Sequence, residues 1–146
     1  MKAEELYQRL IKGDRGLINS STSGQGNAGN IDINASDSIT LASQGNTSTI
    51  FSGVDANAVG DGGNVNLATN SLTLSNGGLI SSSTSGQGNA GNIDINASDS
   101  ITLESQENNS AIFSRVNAEA VGNGGNVDIA TGSFTASRCF RLGRYI

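Results

Sequence analysis

The chain contains no histidine, proline or tryptophan, a single cysteine, and only two Tyr and four Phe as aromatics. Without histidine there is no Ser-His-Asp triad and no His-ligated metal. One thiol, Cys139, makes neither an intramolecular disulfide nor a metal site by itself. No apolar run reaches the roughly 18 residues of a membrane-spanning helix. The N-terminal stretch MKAEELYQRLIKGDRG has no apolar signal region and no cleavage-site pattern. The chain as written is therefore expected to carry no secretion signal and to insert in no membrane. Basic residues are scarce where they would matter. Between residues 17 and 137 ten acids stand against one base, Arg115, a net charge of −9. An acidic body repels phosphate backbones, so no nucleic-acid partner is expected.

What is present is repetition. SSTSGQGNAGNIDINASDSITL, Ser20 to Leu41, recurs letter for letter as Ser82 to Leu103, and IFSGVDANAVGDGGNVNLAT from Ile50 returns as IFSRVNAEAVGNGGNVDIAT from Ile112. The period is 62 residues and each period contains two related halves, since GNIDINASDSITL at Gly29 resembles GNVNLATNSLTL at Gly63. Asn30, Asn64, Asn92 and Asn126 mark four starts spaced by 34, 28 and 34 residues. Twenty Gly with abundant Asn and Ser would otherwise suggest disorder, but Ile, Val and Leu return at fixed places, which a disordered segment has no reason to maintain.

Within a unit the apolar spacing is two, the period of a strand. Ile31 and Ile33 share a face in NIDIN, Ile39 and Leu41 in SITL; Ile50, Ser52 and Val54 match Ile80, Ser82 and Thr84. Three short strands per thirty-residue unit describe one coil, and stacked coils give an all-β parallel β-helix of about four coils over residues 16–137. In register, Asn30, Asn64, Asn92 and Asn126 would form a hydrogen-bonded ladder along the axis. The preceding Gly29, Gly63, Gly91 and Gly125 would supply the unusual φ of a corner. Residues 1–15 place Tyr7, Leu6 and Leu10 near one face of a short amphipathic helix, expected to cap the first coil. Residues 138–146 break the pattern and form a divergent tail.

The chemical motifs are weak. GDGGNVNLA and GNGGNVDIA loosely resemble a calcium-binding nonapeptide, but the copies lie 62 residues apart and Asn123 replaces Asp61. Asp32, Asp37, Asp94 and Asp99 would line one outer face, where paired carboxylates are also the equipment of a glycosidase. An active site is rarely built twice, so they read as solvated charges. No catalytic residue, no metal and no cofactor are expected. Gly45 to Thr49 and Asp55 to Gly60 differ most between copies and are the loops expected to bind, if any do.

GNAGNIDINASDSITL, SNGGLISSSTSGQGNAGN and AVGDGGNVNLATNSLTLSNGG resemble the repeats of filamentous haemagglutinin-like exoproteins, bacterial surface proteins exported by two-partner secretion. The resemblance spans about residues 16–137. It implies a right-handed β-helix, an outer-membrane secretion pore as export partner of the full-length protein, and an extracellular or outer-membrane location. It also implies a rod in adhesion, with host or surface glycans as binding partners. The family's signal peptide and secretion domain have no counterpart here, which implies a fragment of a larger passenger. Two other functions fit a β-helix: a carbohydrate-active enzyme, which needs more basic residues than Arg115, and an ice-binding solenoid. For the latter, Thr40, Thr73, Thr102 and Thr135 form a single rank of outward threonines.

Overall fold

The computed structural model describes residues 16–43 and 46–138; the helix expected over 1–15, Cys139 and the rest of the tail lie outside them. Every regular element among the described residues is a strand: β1 (Leu17–Thr22), β2 (Ile31–Asn34), β3 (Ser38–Ala42), β4 (Ser48–Val54), β5 (Val65–Ser75), β6 (Gly78–Thr84), β7 (Ile93–Ser105), β8 (Ala111–Val116) and β9 (Val127–Arg138). All pairing is parallel. One sheet has the order β1-β4-β6-β8; the other runs β2-β5-β7-β9, with β3 also beside β5. Each strand thus pairs with its equivalent one turn away, and the chain is a β-solenoid of about four turns.

The register follows the repeats. Ile31, Val65, Ile93 and Val127 stack in one column, and Ile39, Leu72, Ile101 and Phe134 in another. Across the core, Ile18, Ile50, Ile80 and Ile112 form a third. Branched residues suit these positions because their stiff side chains pack against an identical neighbour about 4.8 Å away. The resulting core joins Ile50, Leu67, Leu72, Leu74, Ile80 and Ile95 without a gap between coils. Each fully buried Ile or Leu contributes roughly 1.5–3 kcal/mol, and with no disulfide this apolar spine carries the stack.

Two strands per coil replace the three expected. The IDIN and SITL segments merge into single long strands in β5, β7 and β9, with a bulge between the halves, and stay separate only in the first coil. The third side of each coil is a set of single bridges, Gln25 to Val59 to Gln87 to Val121.

Extra residues alternate between corners. Residues 43–47 separate β3 from β4 and residues 106–110 separate β7 from β8, whereas only Asn76 and Gly77, both at positive φ (47° and 103°), separate β5 from β6. Asn76 ties its neighbours together: its Nδ2 donates to Ser43 O at 3.0 Å and its Oδ1 accepts from Glu107 N and Asn108 N at 3.1 Å. At the opposite corner coils two and four are the longer ones. There, Ala58 N donates to Asp55 O and Ala120 N to Asn117 O, with Asn57 and Glu119 at φ near 68° in the third turn position. That conformation suits Asn and strains Glu.

Candidate functional site

The most closely repeated residues meet at the corner that enters the second sheet. Asn64 N donates to Asn30 Oδ1 at 2.8 Å, Asn92 N to Asn64 Oδ1 at 2.9 Å and Asn126 N to Asn92 Oδ1 at 2.9 Å. The four asparagines are thus joined from side-chain oxygen to the main-chain N–H of the next coil, not from amide to amide. In return Ile31, Val65 and Ile93 donate their N–H to the carbonyls of Asn64, Asn92 and Asn126. The side chains of Asn30, Asn64 and Asn92 thus supply acceptors that pair the N–H of Asn64, Asn92 and Asn126 across the corner.

Gly29, Gly63, Gly91 and Gly125 are not at positive φ, contrary to the expectation from sequence. Positive φ falls three residues earlier, at Gly26, Gly60, Gly88 and Gly122, between 131° and 157°. The first set is glycine because the coils touch there: a Cβ on Gly63, Gly91 or Gly125 would lie 2.1–2.2 Å from the carbonyl oxygen of the glycine one coil below. A serine explains the rest of the corner. Ser52, fully buried, donates to Gly29 O and accepts from Gly63 N; Ser82 does the same between Gly63 O and Gly91 N, and Ser114 between Gly91 O and Gly125 N. These serines sit in the inward row, where alternation alone says "apolar". Their signal in the sequence is that a polar residue recurs in the middle of each core strand.

A second ladder, unforeseen from the sequence, runs through Asn27, Asp61, Asn89 and Asn123. Asp61 N donates to Asn27 Oδ1, Asn89 N to Asp61 Oδ1 and Asn123 N to Asn89 Oδ1, at 2.8–2.9 Å. Asp61 and Asn123 are thus interchangeable because both offer the same oxygen to a main-chain N–H. That use accounts for the calcium-like GDGGN and GNGGN without an ion. Among the described residues no group of three or more Asp, Glu, Cys or His is arranged to hold a metal.

The outer faces differ. On the five-stranded side Asp32, Asn66, Asp94 and Asp128 stack in one column, and Asn66 Nδ2 donates to Asp32 Oδ1 at 2.6 Å. Together with Asn34 and Asn96 they line a shallow groove of about 490 Å3. Asp32 and Asp94 lie two coils apart, and Asp99 accepts from Ser71 Oγ at 3.4 Å; Asp37 contributes its main-chain carbonyl to Ser71 N. Thr40, Thr73, Thr102 and Thr135 form one outward column, flanked by serines at 38, 71, 100 and 133. The four-stranded side carries aromatics instead: Phe51, Ser81 and Phe113 are register neighbours, and the Arg115 guanidinium lies 4.7 Å from the Phe113 ring centre. Ser81 Oγ, between the two phenylalanines, is buried without a partner. Of the two variable loops, 45–49 is described only from residue 46, and 55–60 forms the longer corner of coil two. Compared with known proteins, the chain matches no family model, no curated protein and no solved structure.

Proposed function

We propose that this chain is a structural repeat segment of a bacterial adhesin-like surface or secreted exoprotein, a fragment of a larger passenger, wound as a right-handed β-helix and without catalytic residues. One observation carries the reading: the polar residues that return in coil after coil spend their side-chain atoms on joining coil to coil. Asn30, Asn64 and Asn92, Ser52, Ser82 and Ser114, and Asn27, Asp61 and Asn89 all bond through their side chains to the main chain of an adjacent turn. A part selected for such contacts is a part of a rod, whose sides then present side chains at regular spacing to a surface or glycan. In this reading an outer-membrane pore exports the full-length protein.

The test is where the polypeptide resides in the cells that make it. Antibody raised against the chain is expected to label intact cells, and surface proteolysis to remove the signal along with a polypeptide longer than 146 residues. Labelling only after permeabilisation, with a band of this size, would overturn the proposal. The in-register threonine column keeps an ice-binding reading alongside it; measurable thermal hysteresis would favour that one. The acidic groove keeps the carbohydrate-active alternative, and reducing-end release from acidic or neutral polysaccharides would favour it.

A further inference from the structure

The two ends of the stack are unlike. In the first coil the inward Ile31, Ile39 and Leu41 are 7%, 3% and 0% exposed, whereas in the fourth their register equivalents Val127 and Phe134, with Ile129, are 39%, 50% and 39% exposed. Two columns that are closed at the first coil, Ile31 to Val127 and Ile39 to Phe134, stand open at the fourth, and the column from Ile33 to Ile129 passes from partly open to exposed. A β9 edge of twelve residues borders that opening, and an edge of this length with apolar neighbours is a pairing surface unless something covers it.

We propose that the open face of the fourth coil is where two copies of this chain join, end to end about a two-fold axis, with β9 antiparallel to its counterpart. Charge selects this face. The described residues of the first three coils carry eight acids (Asp32, Asp37, Asp55, Asp61, Asp94, Asp99, Glu104 and Glu107) and no base, so two copies repel wherever those coils approach. The fourth coil carries Arg115 and Arg138 against Glu119 and Asp128, a net of zero. Pattern selects the symmetry. Val127, Ile129 and Thr131 continue the inward columns of Ile93, Ile95 and Ala97; past Gly132, which faces the bulged residues Ser98 and Asp99 of β7, Phe134 and Ala136 continue those of Ile101 and Leu103. Inward residues of β9 are odd-numbered before Gly132 and even-numbered after it. A two-fold axis close to Gly132 therefore lays odd on even, apolar on apolar, and the reversed strand is its own complement. A two-fold contact uses the same face of both copies, so the assembly closes at two rather than growing.

This inference is separate from the adhesin reading, since it concerns the end of the rod and not its sides; its failure leaves that reading untouched. Sedimentation of the full chain through the micromolar range is expected to show a monomer–dimer equilibrium. Ile129→Asp is expected to weaken association about tenfold or more, with far-UV circular dichroism reporting retained β-structure; Phe134→Ser serves where that variant does not fold. Val59→Asp, at an exposed apolar position remote from the end, is expected to leave association unchanged. A monomer at all concentrations would overturn the proposal and point to the chain's own residues 139–146, or a partner, as the cover. So would a dimer indifferent to both end variants. Head-to-tail stacking would also overturn it, and has its own signature. In a Cys139→Ser background it would place Thr135→Cys of one copy beside Thr40→Cys of another, as Thr73 sits beside Thr102, and give a mixed disulfide.

Discussion

Ser20–Leu41 and Ser82–Leu103 are the same twenty-two residues in two settings, one in the first coil and one with a coil on either side. The side chains point the same way in both, but their burial differs. Ser82, Thr84, Ile95 and Ala97 are buried, while Ser20, Thr22, Ile33 and Ala35 are partly open. The reverse holds at the last position: Leu41 is buried under Leu74, whereas Leu103 is partly open because its next neighbour is Ala136. Identical sequence sets direction; the adjacent coil sets how much each residue stabilises.

Paired substitutions exploit this. The largest contrast is expected at glycine. A methyl on Gly91 meets two carbonyl oxygens, at 2.2 Å and 2.8 Å, and one on Gly29 meets only Ser20 Oγ at 2.8 Å, the end of a side chain that can turn away. Gly91→Ala should therefore cost about 3 kcal/mol or more by forcing coils apart, and Gly29→Ala about 1 kcal/mol or less; urea unfolding followed by circular dichroism measures both. Equal losses would mean that the corner glycines serve their own coil and not the contact between coils. Next comes the core. Ile95→Ala should lose roughly 2–5 kcal/mol and Ile33→Ala visibly less, because the partly open site has less to lose. At the serine, Ser82→Ala removes the hydroxyl that bridges Gly63 O and Gly91 N–H and leaves that buried N–H without its acceptor, at about 1–3 kcal/mol. Ser20→Ala in the same assay is expected to fall below it. The smallest effect is a gain: Glu119→Asn, copying Asn57 at the equivalent turn, should relieve a strained φ and raise stability by about 0.5–1 kcal/mol. An unchanged or lowered midpoint would show that the turn does not resist Glu.

How far this architecture is legible in the residues themselves depends on the kind of force. Period-two spacing located Ile31, Ile39, Leu41, Ile50 and Ile80, and repetition implied parallel stacking, because burial of an alternating face is a property of each strand by itself. The Asn column was also visible, though not its bonding, since a ladder of amides and a ladder of caps have the same letters. The role of Gly29, Gly63, Gly91 and Gly125 is not legible in the letters for a related reason. Both a strained φ and a close approach demand glycine, and only the position of the next coil's carbonyl tells them apart. The fusion of two short strands into β5, β7 and β9 is hidden because the inward residues of β5 and β9 pass from odd to even between the halves, a break in alternation that reads in sequence as a corner. The apolar outer face at Phe51 and Phe113 was hidden because alternation marks them as outward without saying what they meet.

The alternating corners limit how such a stack can lengthen. Long corners at residues 43–47 and 106–110 are separated by the two-residue turn Asn76–Gly77, and Asn76 bonds to both. Two long corners on consecutive coils would have to share one strand spacing of about 4.8 Å. Loss of a single coil would therefore bring like corners together and set two of the longer connections in the same space. Loss or gain of 62 residues leaves every corner beside the neighbour it already has. The stack has a length quantum of two coils, and the duplicated text of its sequence is the size of that quantum.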